Sequence, residues 1–482
     1  MYTRYMTLLL FISLTGTTVK PASAQDKEAW ITIFIHGTIK PKLALYSIVN
    51  VMRDHLENSH YRQTLHFLRQ DPCLYQTHAI QNVGLQPINR NQPENYTGAC
   101  ALAELYDAIF SLYEHNPIDN LYYTFGWSGL LSTLHRHEDA KKLYKYLTNL
   151  VNEYRAQHIE PRIRIIAYSH GGNVALNLAL VRQHQHHESP PFYIDELIML
   201  GTPIIKDTEN FIHDCLFKHI YHFYSPGDRA QTKDWLSAQR RSHRCFHAKF
   251  LQPLPDKLTQ IKLKITSYQQ HSLYMPYGPK RRTTSTAPGH IELWFFGWTP
   301  DWYRKSFPLY PLPTVSFCSY IIDHIRHLTE KYTHLEVNLH PQKEMMMIRN
   351  FGPKFSRQHH TIPFISEEKL AQLKDQMHQL KPNYNLKEKG ELGLKKAVRK
   401  ARHFRRAYKH AKHKVKRRLR HNKPVPMDNA TNQSIISTLL ENQPFASAAP
   451  VMTICAHQSW SAVNAFALNY FLMYDEDMQK HI

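Results

Sequence analysis

The stretch Ile165-Ile166-Ala167-Tyr168-Ser169-His170-Gly171-Gly172 sets a serine between a β-rich run and a glycine-bearing turn that opens a helix. This is the pattern of a nucleophile elbow, in which a sharp strand-to-helix reversal exposes the hydroxyl. So tight a reversal needs small residues two places before and two places after the serine, and Ala167 and Gly171 stand there. The helix start also aims backbone N–H groups at an attacked oxygen. Asp228, in Ser225-Pro226-Gly227-Asp228, and His290, in Ala287-Pro288-Gly289-His290, sit on loops next to candidate strand ends. The order Ser, Asp, His is one of the known triad orders. In such a set His290 takes the Ser169 proton, and Asp228 fixes the imidazole tautomer and stabilises the imidazolium. His36-Gly37-Thr38 ends the first strand candidate, and the backbone N–H groups of Thr38 and His170 are the expected oxyanion donors.

Rival residues fit less well. Ser128, in Gly126-Trp127-Ser128-Gly129, lacks a small residue two places on, where Leu130 stands. Asp195 precedes its strand and so belongs at the wrong sheet edge. His271 lacks the Gly-His loop that leads His290 into a helix. His36, Trp127 and Tyr168 are expected to line the substrate pocket. The aromatic run Trp294 to Tyr303 reads either as an acyl-chain pocket or as ordinary core. Histidines cluster at His184, His186 and His187 and at His359 and His360, but flexible loops lack the closed geometry of a metal site, so no metal is expected.

These groups need a scaffold. Apolar, β-rich runs recur at Ile31–Ile35, Leu121–Phe125, Arg162–Ala167, Ile194–Leu200, His219–Tyr224 and Ile261–Ile265. Helical patterns alternate with them, as over Glu138–Gln157 and Asn173–Arg182. Such alternation from 30 to about 335 predicts an α/β fold, a mostly parallel central sheet with helices on both faces. Residues 39–120 form an insertion with helical character, expected as a cap over the crevice or as a plain layer on the sheet.

Taken together, Ile35-His36-Gly37-Thr38, Ala167-Tyr168-Ser169-His170-Gly171-Gly172, Leu200-Gly201-Thr202-Pro203, Ser225-Pro226-Gly227-Asp228 and Gly289-His290 resemble the α/β-hydrolase superfamily. Within it they are most similar to lipases and esterases with an A-x-S-x-G elbow. The resemblance covers residues 30–335. It implies carboxylic ester hydrolysis through an acyl-enzyme, on an acyl ester or lipid substrate, with no metal or organic cofactor. Amide or thioester cleavage on the same triad is the nearest alternative; a non-catalytic surface-binding protein that keeps the fold is the other.

The flanks carry other signals. Arg4, the apolar run Met6–Leu14 and Ala22-Ser23-Ala24 read as a secretory signal peptide over 1–24, so the mature protein is expected in a periplasm or secreted. The hydrolase domain is then expected over 25–335, and a C-terminal extension over 336–482. The chain of 482 residues has a formal charge of +21, and fifteen Lys/Arg without an acid between Lys395 and Lys423 leave the rest at +6. Hydrophobic residues at 42% exclude a wholly disordered chain, and the charge belongs to one segment rather than to a nucleic-acid-binding fold. Leu394, Val398, Ala401, Phe404, Tyr408, Ala411, Val415 and Leu419 follow in steps of three and four, so 394–421 reads as a basic amphipathic helix. Such a helix suits peripheral contact with an anionic membrane or polymer; nucleic acid is the disfavoured partner, and a solvated helix packed by its stripe is the plain alternative. The six cysteines allow local disulfides Cys73–Cys100 and Cys215–Cys245, or buried free thiols.

Overall fold

Apolar segments long enough to cross a sheet, buried on both sides, pair side by side rather than in hairpins. The computed structural model describes most of residues 27–380, together with Arg399 and Arg406. Residues 1–26, 40–64, 232–241, 271–280 and nearly all of 381–482, with shorter internal stretches, lie outside the described residues. The chain divides into two compact units, Met1–Arg405 and Arg406–Ile482, and all described residues but Arg406 belong to the first. The signal-peptide reading and the basic helix 394–421 therefore fall almost wholly outside the described residues. No helix among the described residues is long and apolar enough to cross a membrane.

Among the described residues, eleven strands form one mixed sheet. They are β1 (Lys27–Ile35), β2 (Gly84–Pro87), β3 (Asp119–Gly126), β4 (Ile159–Tyr168), β5 (Ile194–Leu200), β6 (Phe217–Tyr224), β7 (Leu258–Gln270), β8 (Arg281–Thr286), β9 (His334–His340), β10 (Met345–Asn350) and β11 (His359–Pro363). Their order is β11-β10-β9-β7-β6-β5-β4-β1-β3-β2, with β8 on the far half of β7. The seven strands from β9 across to β3 are mutually parallel. Strands β2, β8, β10 and β11 pair antiparallel.

Side-chain alternation sends Ile31, Ile33, Ile35, Leu197 and Met199 to one face, and Phe34, Ile198, Leu200 and Phe223 to the other. The helices α2 (Thr133–Ala156) and α3 (His170–His184) cover the first face. The second is covered by α1 (Gly98–Phe110), α5 (Cys318–Arg326) and α6 (Glu367–Gln379), with the short α4 (His290–Trp294) between β8 and α5. Side chains of Thr97, Ser132 and Ser366 cap α1, α2 and α6 by accepting a backbone N–H three residues on, each such cap contributing about 1 kcal/mol. The expected α/β architecture, parallel core and helices on both faces, is present.

Two boundaries differ from the sequence reading. The sheet does not stop at 335: β9 pairs with β7 over Leu335–Leu339, and β10, β11 and α6 extend the same core. Within the 39–120 insertion, β2 edges the sheet beside β3, and α1 buries ten of its thirteen residues against it. That part is a sheet layer, not a cap, because its apolar face has the sheet to cover. The run Trp294–Tyr303 is likewise core at its described ends, with Trp294, Phe296 and Tyr303 all buried.

One buried ion cluster ties the sheet to α5. Glu196 of β5 is hydrogen-bonded by Arg164 of β4 and by Arg326 of α5, and the Arg164 guanidinium lies 4.0 Å from the Trp30 ring centre. Burial alone would raise the Glu196 carboxyl, but Arg164 and then Arg326 outweigh it and hold the group at about 2. A folded-state value below the unfolded 4.5 stabilises the fold above pH 4.5, and that stability is lost as pH falls towards 2. Glu196→Gln should therefore cost about 3–5 kcal/mol at neutral pH, since it leaves two guanidiniums short of a carboxylate. Urea unfolding of both proteins should show the difference shrinking from pH 4.5 downwards; a gap that is constant across that range would contradict the assignment.

Candidate active site

Chain order creates a crevice at one place. After β1 the chain passes through β2 to β3 on one side of β1, then crosses to β4 on the other side and continues outward. The C-terminal ends of β1 and β4 thus flank a topological switch point, where open α/β sheets bind ligands. Loops after β1, β4, β5 and β6 meet there.

Ser169 lies between the end of β4 and the start of α3, with φ 52° and ψ −130°. A non-glycine residue with such a φ is strained, by about 1–3 kcal/mol, and holds only because its surroundings fix it. Its N–H donates to the Leu200 carbonyl at 2.9 Å, and its own carbonyl accepts from Gly172 N–H at 3.0 Å. Gly171 has to be glycine on grounds of space: a Cβ there would lie 2.5 Å from the His36 carbonyl oxygen. The loops after β1 and β4 therefore touch, and Gly37, one residue before Thr38, lies against Ser169: a Cβ on Gly37 would be 2.8 Å from Ser169 Cβ.

The three expected catalytic side chains come together. The Ser169 hydroxyl is 3.1 Å from His290 Nε2, and His290 Nδ1 is 2.7 Å from Asp228 Oδ2. Asp228 is fully buried, and its Oδ1 accepts the backbone N–H groups of Ala230 at 2.9 Å and Gln231 at 3.3 Å. The carboxylate facing Nδ1 assigns the proton to that nitrogen and leaves Nε2 as the acceptor for the serine proton. The antiparallel return of β8 carries His290 back to the end of β6: Ser225 Oγ donates to the Pro288 carbonyl at 2.6 Å. Tyr168 adds a second tether, its hydroxyl donating to the His290 carbonyl at 2.8 Å while its ring stacks on Trp294. His170 opens α3, so its N–H belongs to the positive end of that helix. Together these groups can deprotonate a hydroxyl, hold the imidazolium that results and stabilise an oxyanion beside it.

No protein-family model matches the chain, and no curated protein matches it in sequence. The chemical reading of the site rests on its geometry and on the motifs.

Other expectations change. His36 and Trp127 are buried, not pocket wall. Trp127 Nε1 donates to the His36 carbonyl at 2.6 Å, Trp127 N–H to His36 Nε2 at 3.2 Å, and the two rings stack. They brace the loop after β1, as Tyr168 braces His290; their polar atoms meet the protein rather than a crevice. Ser128 is tied to α2, its N–H donating to Asp139. Asp195 sits at the start of β5, where it accepts Ile163 N–H and pairs with Lys218, at the edge away from Ser169. His271, His186 and His187 lie outside the described residues. Among the described residues no three His, Cys, Asp or Glu side chains are grouped to hold a metal ion. The disulfide Cys215–Cys245 is not formed; both are free thiols. Cys215 precedes β6, whereas the segment holding Cys245 is bridged at His243 to Ile204, past the opposite end of β5. Cys100 is a free, buried thiol bonded to Asn89 O and Thr97, and Cys73 lies outside the described residues.

Gly201 went unassigned in the sequence. It has φ +58°, and a Cβ there would lie 2.7 Å from Asp228 Oδ2 and 3.3 Å from His290 Nδ1. Gly201→Ala should push the Asp228–His290 pair apart and lower turnover about 100-fold, the usual effect of a misplacement near 1 Å. Steady-state kinetics alongside circular dichroism would check this; a folded variant with unchanged turnover would refute it.

Proposed function

We propose that the chain is an exported serine hydrolase of the α/β-hydrolase kind that cleaves carboxylic esters, lipid esters foremost, through an acyl-enzyme on Ser169. The observation that carries this reading is the continuous hydrogen-bonded line Ser169–His290–Asp228, beginning at a strained residue on a strand-to-helix turn. A strained backbone at the head of such a line marks a functional position rather than a structural one.

The chemistry follows from the assigned protons. Ser169 Oγ attacks the acyl carbon while His290 Nε2 takes its proton. The carbonyl oxygen becomes an oxyanion, held by the N–H groups of Thr38 and His170. Asp228 Oδ2 keeps the Nδ1 proton in place and stabilises the imidazolium. The tetrahedral species collapses as His290 protonates the leaving alcohol, and the acyl group stays on Ser169. Water then attacks the acyl carbon as His290 takes its proton, and collapse of the second tetrahedral species breaks the bond to Ser169 Oγ, which takes the proton back from His290 as the carboxylic acid leaves. The fully buried Asp228 and the nearly buried Ser169 place this exchange at a site of low dielectric, where fixed dipoles act most strongly. Export rests on the sequence of residues 1–24, and contact with an anionic membrane or polymer on residues 394–421.

Hydrolysis of p-nitrophenyl esters of graded chain length tests the reading. A burst of nitrophenol near one equivalent per enzyme, followed by slower turnover, is expected from an acyl-enzyme. Parallel anilide and thioester substrates separate ester hydrolysis from the two neighbouring chemistries. Absence of turnover on all three, with and without lipid micelles, would leave the protein as a binder that keeps the fold.

A further inference from the structure

The loop that carries the Thr38 N–H is backed by a buried cation. Arg69, in the described part of the 39–120 insertion, directs Nη2 at the Trp127 carbonyl and at His36 Nε2, the latter at 3.2 Å. Its Nη1 is buried with no hydrogen-bond partner, and the buried Asp139 carboxylate acts on the guanidinium through its charge. The Tyr75 hydroxyl donates to the Arg69 carbonyl at 2.7 Å and fixes the backbone from which the side chain reaches in. On its other side the His36 ring uses Nδ1 to donate to the Gly37 carbonyl at 2.6 Å. Burial, and then the Arg69 charge, push His36 well below its ordinary value, so the ring is neutral and can accept at Nε2 while donating at Nδ1.

The Gly37 carbonyl belongs to the same peptide unit as the Thr38 N–H. A trans peptide is planar, with its C=O and N–H pointing in opposite directions, so holding one aims the other. A hydrogen bond to the carbonyl also draws electrons from the amide nitrogen and strengthens its N–H as a donor, as in any polarised chain of hydrogen bonds.

We propose that Arg69 and His36 form a positioning relay for the oxyanion donor, in which the buried guanidinium polarises the imidazole, the imidazole grips the Gly37 carbonyl, and the Thr38 N–H is thereby aimed and strengthened. This rests on the hydrolase reading above. It makes Arg69, which the insertion supplies, part of what completes the site. Neither residue touches the reacting atoms; both act through the Gly37–Thr38 peptide.

The test uses the full chain with Arg69→Gln, Arg69→Ala and Arg69→Lys. On a short, soluble ester, kcat should fall about 10- to 100-fold in the Gln and Ala variants, with KM changed less than threefold. An alkylboronic acid, which becomes a tetrahedral anion on Ser169, should lose affinity by the same factor. A neutral amide that cannot be cleaved should bind as before. Guanidinium at millimolar concentration should restore part of the activity of Arg69→Ala and none to Ser169→Ala. A merely structural arginine would move stability and both ligands together. Arg69→Lys, which keeps the charge without the fork, should fall between wild type and Gln. Wild-type kcat in the folded Gln variant, or boronate affinity unchanged in Gln and Lys, would overturn the relay while leaving the hydrolase reading intact. A wild-type protein with no esterase activity and no boronate binding would remove both.

Discussion

Ser169→Ala should lower ester turnover by about 10⁶-fold, the loss typical when the nucleophile of an intact triad is removed. The hydroxyl that meets His290 Nε2 is that of Ser169, whereas Ser128, the nearest rival by motif, has its backbone N–H bonded to Asp139 of α2. The oxyanion donors and the binding surface stay, so a residual rate above water is expected. Stability separates two replacements. The φ of 52° at Ser169 strains any side chain with a Cβ, and Ala keeps that strain. Glycine adopts such a φ freely. Ser169→Gly should therefore be more stable than Ser169→Ala by about 1 kcal/mol while being equally inactive. Urea midpoints of the two variants check this; a less stable glycine variant would mean that the turn is not held under strain.

Asp228→Asn should cost about 10⁴-fold in turnover, and the structure says why. Oδ1 accepts two backbone N–H groups, from Ala230 and Gln231, so the amide oxygen of asparagine must take that position. Its NH₂ then faces His290 Nδ1, where Oδ2 stood at 2.7 Å. A donor aimed at Nδ1 forces the imidazole proton onto Nε2, which can no longer accept from Ser169. The defect is one of tautomer, not of shape. Raising the pH, which deprotonates an attacking group without help from the base, should recover part of the activity. A flat loss at all pH values, with a melted near-ultraviolet spectrum, would instead mean that Asp228 acts on folding alone.

The site was legible in sequence where its signals are local. The Ser169 elbow is a contiguous run whose small residues answer a steric need. Asp228 and His290 could be placed because each sits on a loop at a strand end, and parallel strands gather such loops at one edge. The polar contacts that join them were not legible, because they cross large gaps in the chain: 62 residues from Asp228 to His290 and 121 from Ser169 to His290. Arg69 left no trace. A lone arginine in a mixed helical stretch reads as a solvated side chain, and only packing against His36 and Trp127 gives it a role. His36 and Trp127 were misplaced for the converse reason: residues next to a catalytic motif look like pocket wall until their hydrogen bonds show them to be buried braces.

The fold was read correctly in its parallel centre and less well at its edges. Both faces of the central strands are buried, so their apolar runs stand out; β5 is buried along its whole length. By contrast β8 is Arg-Arg-Thr-Thr-Ser-Thr, and β9 alternates apolar with polar residues. Such strands take their identity from the neighbours they pair with rather than from composition. The domain was consequently closed at 335, three strands and a helix too early.

The central claim is that Ser169 is an activated nucleophile. A fluorophosphonate probe, reacted with the purified mature protein and located by peptide mass, tests it most directly. A single adduct on Ser169, formed in wild type and absent from His290→Ala, is expected. Label on another residue, or a folded wild-type protein that stays unlabelled with and without lipid micelles, would contradict it.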